Sequence, residues 1–453
     1  MLKSRLCIAF FAFAVGCAPA QKPLTDYVNP MLGTATLWDS VDLGFKPTKR
    51  TWGAEVFPGS SLPNAMVQVS PVTKFHSGAG YQYEDSVIYG FTHTNKGHWN
   101  LCHIPLLPVT GTPTPGDYCS PFSHERESAA PGYYQVFLDR YGVDAQLSST
   151  LRCAFHKYTY PAGAAASLLA DLQRSNEHVR AWDIRKEGDN VFAGWQQTGE
   201  KMYFYAVANR PVTGIEPVVE GDREVRIVRF GEGDGALELR IGFSFVSEKN
   251  ARENLEAEML GKSFAEVRSE ATATWNDLLG RIRVEGGTER EKGLFYSSLY
   301  RSFLWPALRS DVNGEFTDVD GKVINPGFRY YTGPSYWDDY RNKLILLGML
   351  APDVAADVIS SDTDKGEKRG GFMPTFFHGD HASAFVAGTY LRGNRGFDVN
   401  RAYNLVLRNA TVQGPSRPWL DEYIAKGYIS EMDVENPVTW TVCKAAVTKT
   451  LEY

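Results

Sequence analysis

The chain has 453 residues, 43% of them apolar and 13% aromatic, and carries a formal net charge of −6. This acidic balance excludes nucleic acid as a partner, because a polyanion is bound through a surplus of Lys and Arg. None of the cysteines are spaced like a zinc site.

Residues 1–20 read as a secretion leader. Lys3 and Arg5 precede an apolar run from Leu6 to Val15, and Ala18-Pro19-Ala20 supplies small residues for cleavage. The run is shorter than the roughly 20 residues a bilayer requires, and no later stretch is long and apolar enough to span one. Gly16-Cys17 leaves a lesser reading open, in which Cys17 is lipid-anchored. Removing the leader leaves 45 basic against 53 acidic residues, a net charge of −8. Cys102, Cys119, Cys153 and Cys443 remain, expected as one or two disulfides or as buried thiols.

From about residue 130 to 247 apolar residues recur with period two. Leu237, Leu239, Ile241, Phe243 and Phe245 alternate with Glu238, Arg240, Gly242 and Ser244, as in a strand with one buried face. Successive strands with no helical pattern between them predict an antiparallel β-sandwich over 23–247. The pattern then changes. Leu255, Met259, Phe264, Val267, Ala271, Trp275 and Leu278 recur mostly every three to four residues, predicting one or two linker helices over 248–284. Thr288 and Glu291 form a capping box that opens a helix with Phe295, Leu299 and Phe303 on one face. Further helices are expected at about 343–350, 352–360, 382–392 and 398–410. The fold class is therefore β + α multidomain. A closed ring of about twelve helices, at about 11–12 residues each, needs far more chain than 285–453 supplies. The helical domain is thus expected to be small, or only the first part of such a ring.

Several motifs carry a resemblance. They are Tyr27-Val-Asn-Pro-Met-Leu-Gly-Thr34, Phe57-Pro-Gly59 with Met66-Val-Gln-Val-Ser-Pro71, Gly90-Phe-Thr-His-Thr94, and Ser123-His-Glu125 with Pro131-Gly-Tyr-Tyr134. Further on come Val284-Glu-Gly-Gly287, Trp337-Asp-Asp-Tyr-Arg341, Gly379-Asp-His-Ala382 and Lys449-Thr-Leu-Glu-Tyr453. Together they resemble glycoside hydrolase family 92, the calcium-dependent exo-α-mannosidases. The resemblance implies a β-sandwich packed on an (α/α)6 barrel, with a site between them that removes terminal α-linked mannose with inversion. It also implies Ca2+ as cofactor, mannose-containing glycans as partners, and a general acid and base in barrel segments beyond the KTLEY stretch. Asn64-Ala65, Asn95-Lys96-Gly97 and Asp339 depart from the family's usual residues.

Seven residues in the two strongest motifs can be weighed on chemistry. An inverting glycosidase sets two carboxyl groups about 6.5–9.5 Å apart across the sugar. Asp338 and Asp339 are adjacent, and neighbouring positions diverge by about 100° on a helix, so they make a poor acid–base pair. Either Trp337 stacks on a sugar while one of the two acids, held by Arg341, grips its hydroxyls, or the acids cap the helix holding Leu344, Leu346 and Leu347, with Arg341 in an ordinary salt bridge. The resemblance favours sugar binding by Trp337, Asp338 and Arg341. In HGDHAS, His378 and His381 suit calcium poorly, since it prefers oxygen ligands. Asp380 and His381 are read as a sugar-facing loop, with a helix cap as the alternative. His93, His98, Trp99 and His103 cluster on one segment. Trp99 and His93 are placed along the cleft, against the reading of a half-buried strand edge. Glu125 and Glu127 are read as structural. Asn409-Ala-Thr411 is a glycosylation sequon set unfavourably on a helix.

Two functions compete. One is a secreted or periplasmic exo-α-mannosidase acting on α-1,2 linkages, of which this chain supplies the sandwich and about the first half of the barrel. The other is a truncated, catalytically inactive relative that keeps part of a sugar-binding wall. A purely structural sandwich gives no reason for YWDDYR or HGDHAS.

Overall fold

A computed structural model describes residues 22–36, 44, 55–96, 99–233, 235–375, 379–415 and 417–429, with only the backbone of Asn95, Lys96 and Trp99. The leader with Cys17, and His98, His378, Cys443 and residues 449–453, lie outside them.

Two antiparallel sheets form the N-terminal half. The seven-stranded sheet runs Ser60–Ser61, Gln68–Val72, Gly90–Thr92, Leu106–Val109, Ser167–Ala170, Arg223–Phe230, Val212–Glu220. The eight-stranded sheet runs Ala181–Gly188, Val191–Gln197, Lys201–Ala208, Leu237–Ser244, Cys153–Thr159, Val143–Ser149, Tyr133–Leu138, Glu127–Ala130. Register explains the core. Leu239 stands opposite His156, His156 opposite Leu147, and Leu147 opposite Tyr134, so four fully buried side chains cross the sheet in one row. The period-two residues Leu237, Leu239, Ile241 and Phe243 are all fully buried, as the alternation predicts.

The linker is two helices, α1 (Glu248–Glu258) and α2 (Phe264–Leu279). They lie on the sheet rather than bridging open space. Leu255, Met259, Phe264 and Val267 form a small core with Tyr133, Cys153 and Phe155. Gly242 permits this approach, because a Cβ there would sit 2.1 Å from the Ala251 carbonyl oxygen. Cys102 and Cys153 are buried free thiols and Cys119 is a partly exposed one, so among the described residues the thiol reading holds.

The helical part begins with α3 (Glu289–Ser302), followed by the single turn α4 (Tyr336–Asp339), then α5 (Lys343–Leu350), α6 (Pro352–Lys368), α7 (His381–Leu391), α8 (Val399–Thr411) and α9 (Leu420–Lys426). The predicted capping box is formed. Thr288 Oγ accepts from the Glu291 amide at 3.2 Å, and Glu291 accepts from the Thr288 amide at 2.7 Å. Removing it by Thr288→Ala is expected to cost about 1 kcal/mol in a urea-unfolding measurement; a loss below a few tenths would show the box to be dispensable. Helix α6 runs to Lys368, well past the predicted stop near 360; its buried side turns polar at Ser361, Asp362 and Thr363, so the apolar spacing that marks a helix ends before the helix does. Asn409 is fully buried, and its Nδ2 donates to the Met373 carbonyl at 3.0 Å, leaving that nitrogen no room for a glycan. Among the described residues no single helix is long and apolar enough to cross a membrane.

Candidate functional site

The YWDDYR stretch forms α4 and the residues that follow it. Tyr336 is buried, and its hydroxyl donates to Asp362 on α6. Burial and the neighbouring Asp362 carboxylate push that phenol far up. Lys365 bonds Asp362 at 2.8 Å and the Tyr331 carbonyl at 2.9 Å, neutralising the carboxylate. With Tyr336 anchored inward, Trp337 and Asp338 fall on the outward side of the turn, and Trp337 is 41% exposed.

The two adjacent acids have different fates. Asp339 is buried and ion-paired with Lys343 at 3.1 Å, burial raising its pKa and Lys343 pulling it back. Asp338 is exposed, on the rim of a cavity of about 160 Å³ bordered by Glu55, Phe57, Arg301, Trp305 and Lys343. That cavity lies where residues 55–57, just before the first strand, meet the start of the helical part. Burial draws the Arg301 guanidinium down to about 10.

The helix capped by these acids in the alternative reading has its own N-cap, Asn342. Arg341 does not brace Asp338 as expected. Its Nε donates to the Tyr340 hydroxyl at 2.8 Å, and its guanidinium lies 4.9 Å from that ring's centroid.

Tyr340 joins the two motifs. Its ring stacks on His381 at 3.8 Å and 4°. His381 and Asp380 are buried, at 4% and 3% exposure, so they stand behind Tyr340 rather than on an open face. Asp380 accepts from Ser383 Oγ at 2.7 Å and lies 3.9 Å from the buried Arg417. Burial lowers the Arg417 guanidinium, with Asp380 opposing. Asp380 occupies the N-cap position of α7 without making the side-chain cap bond.

The sandwich candidates divide. His93 is fully buried and reaches across the two sheets, its Nε2 3.0 Å from His156 Nε2; it does not line a cleft. The isolated sequence gave no sign of this, because the partner lies 63 residues away on the other sheet. Trp99 sits on a two-residue strand, Trp99–Asn100, paired with Asn95–Lys96; its side chain lies outside the described ones. Glu127 accepts from Tyr81 and Tyr134 and bonds His124, a structural hub as read. Tyr340 and Arg417 are the residues that sequence reasoning passed over. Tyr340 stood inside the quoted motif; Arg417 carried no local signal.

The described residues thus form an exposed tryptophan, carboxylate and guanidinium, backed by a buried aromatic–ionic layer. This suits hydrogen bonding and stacking with a polyhydroxy ligand. Among them no three His, Cys, Asp or Glu side chains converge to hold a metal ion, so none is assigned as a calcium ligand.

Comparison with known proteins places this chain in a family. Residues 27–253 match the glycosyl hydrolase family 92 N-terminal domain and residues 250–453 its catalytic domain. The chain belongs to glycosyl hydrolase family 92. It superposes with a TM-score of 0.80 and 26% identity on a family 92 α-mannosidase of Bacteroides thetaiotaomicron, over 89% of this chain and 58% of that one. The mannoimidazole complex of that enzyme gives a TM-score of 0.81 at 25% identity, over 91% of this chain and 58% of that one. A secreted glycosidase of Arthroderma benhamiae is 24% identical over 94% of this chain and 58% of its own length. The chain therefore spans about 58% of the length of these relatives.

Proposed function

We propose that the chain supplies the sandwich and the first, sugar-gripping wall of a secreted exo-α-mannosidase that removes terminal α-linked mannose, α-1,2 linkages among them, with inversion and with calcium. The observation that carries the reading is the stack of Tyr340 on His381. It fixes the two family motifs to one another and leaves Trp337, Asp338 and Arg341 facing outward beside it. In this reading Trp337 offers an apolar face to the ring carbons, Asp338 accepts from hydroxyls, and Arg341 donates to them. Asp339, Asp362 and Asp380 are charge-balanced supports. The acid–base pair is assigned to none of the described residues. Calcium enters this reading through the family resemblance.

A second reading, sugar binding without hydrolysis, draws on the same geometry. Asp339, Asp362 and Asp380 each pair with a cation, and Asp338 alone among the wall's acids faces out. The test is proton NMR of α-1,2-linked mannobiose incubated with calcium and a longer version of the protein in which the barrel is completed. The first reading expects β-mannose to appear first, and chelation to stop its release. Binding without release supports the second reading, and neither binding nor release overturns both.

A further inference from the structure

The backbone that follows Trp99 is strained. Cys102 and Ile104 have φ values of 55° and 54°, a region that L-residues rarely occupy and that a β-branched side chain tolerates worst. Such strain persists only where the surroundings over-determine it. Here they do so with side-chain amides. Asn176 Nδ2 donates to the Asn100 carbonyl at 2.5 Å and the Ser77 carbonyl at 3.0 Å, while its Oδ1 accepts from the His76 amide at 2.6 Å. The Asn176 amide and Ser175 Oγ both donate to the Leu101 carbonyl, at 2.9 and 2.6 Å. Gln196, fully buried on the opposite sheet, accepts from the Ile104 amide at 2.8 Å and donates to the Leu172 and Arg174 carbonyls at 2.9 Å each.

The fourth tie is a chain of side chains whose proton order follows from elimination. Glu177 can only accept when ionised, so Thr198 Oγ donates its single proton to it, at 2.6 Å. Thr198 must then accept from His103 Nε2 at 2.9 Å, which leaves His103 Nδ1 to accept from Thr94 Oγ at 2.8 Å. The result is a neutral Nε2–H imidazole, consistent with burial holding His103 down at about 4. Thr94 directly precedes the hairpin that carries Trp99.

We propose that Asn176 and Gln196 are positioning residues for Trp99. They hold the arm 99–104 in its strained form and thereby fix where the Trp99 hairpin stands. This rests on the reading of Trp99 as a sugar contact. The experiment pairs amide hydrogen exchange of residues 99–104 with calorimetric titration of methyl α-mannoside, in the intact chain and in Asn176→Ala and Trp99→Ala. Asn176→Ala is expected to speed exchange in the arm about tenfold or more and to weaken sugar binding in parallel with Trp99→Ala. Ser175→Ala, which loses one bond to Leu101, should show a smaller effect in the same segment and serves if Asn176→Ala does not fold. Unchanged exchange in both variants overturns the proposal. So does faster exchange with wild-type affinity, in a chain whose Trp99→Ala variant has lost binding. If Trp99→Ala leaves binding unaltered, the sugar-contact reading of Trp99 has failed, and exchange alone judges whether these amides hold the arm.

Discussion

Trp275→Ala is expected to destabilise the chain by about 3–5 kcal/mol, the usual loss for removing a buried aromatic. Trp275 lies in the C-terminal half of α2 and is fully buried. Its ring centroid is 4.3 Å from that of Tyr300 on α3, and its Nε1 donates to the Ser61 carbonyl at 2.7 Å. One side chain therefore ties the first strand of the sandwich, the linker and the first helix of the helical part. Truncation leaves a cavity and also strips a buried carbonyl of its donor. Trp275→Phe separates the two contributions. It refills most of the space but restores no N–H, and should cost about 1–3 kcal/mol. Urea-unfolding midpoints measure both. If Trp275→Ala matched the parent, α2 would not be packed as described.

The buried histidines should give a large pH effect. Burial holds His93 down to about 3 and His103 to about 4, and it carries His156 well below the ordinary value. An unfolded imidazole takes up a proton below about 6.5, which these folded ones refuse. The stability they confer is therefore complete above about pH 6.5. It is lost as pH falls toward 4, by about 1.4 kcal/mol per unit for each group. Asp311 and Asp357 act in the opposite direction. Burial raises both to about 6, so the folded state gains protons there as pH falls. The net slope mixes the two effects, and the histidine part must be isolated by difference. His93→Phe, which cannot titrate, should lose stability less steeply than the parent between pH 6.5 and 4. In selectively labelled chain, the three imidazoles should hold neutral-form chemical shifts down to about pH 4.5. Titration of all three near 6.5 would contradict their burial.

What could be read from the sequence followed from how much of each element faces water. Strands such as Lys201–Ala208 and Leu237–Ser244 have one wet face, so alternation exposed them. Gln68–Val72 and Leu106–Val109 are buried along their whole length and show no alternation, which is why the pattern seemed to begin only near residue 130. The helices were visible wherever charged residues separated apolar ones, and α6 faded where its inner face became polar. In the candidate site, the motifs identified the right segments but not the depth of their side chains. Asp380 and His381 lie behind Tyr340 because Arg417 and Tyr340 cover them, a fact of tertiary packing with no local trace. Asp338 and Asp339 separate because a one-turn helix points one toward Lys343 and the other outward.

The wall itself is most directly tested by calorimetric titration of the chain with methyl α-mannoside, beside Trp337→Ala and Asp338→Asn. The account predicts measurable binding by the parent, weakened about tenfold or more in each variant, a loss of about 1.4 kcal/mol or more. Each substitution touches an exposed side chain and should leave the unfolding midpoint nearly unchanged. Equal affinity in all three proteins, or no binding by the parent, would contradict the assignment of this surface to mannose.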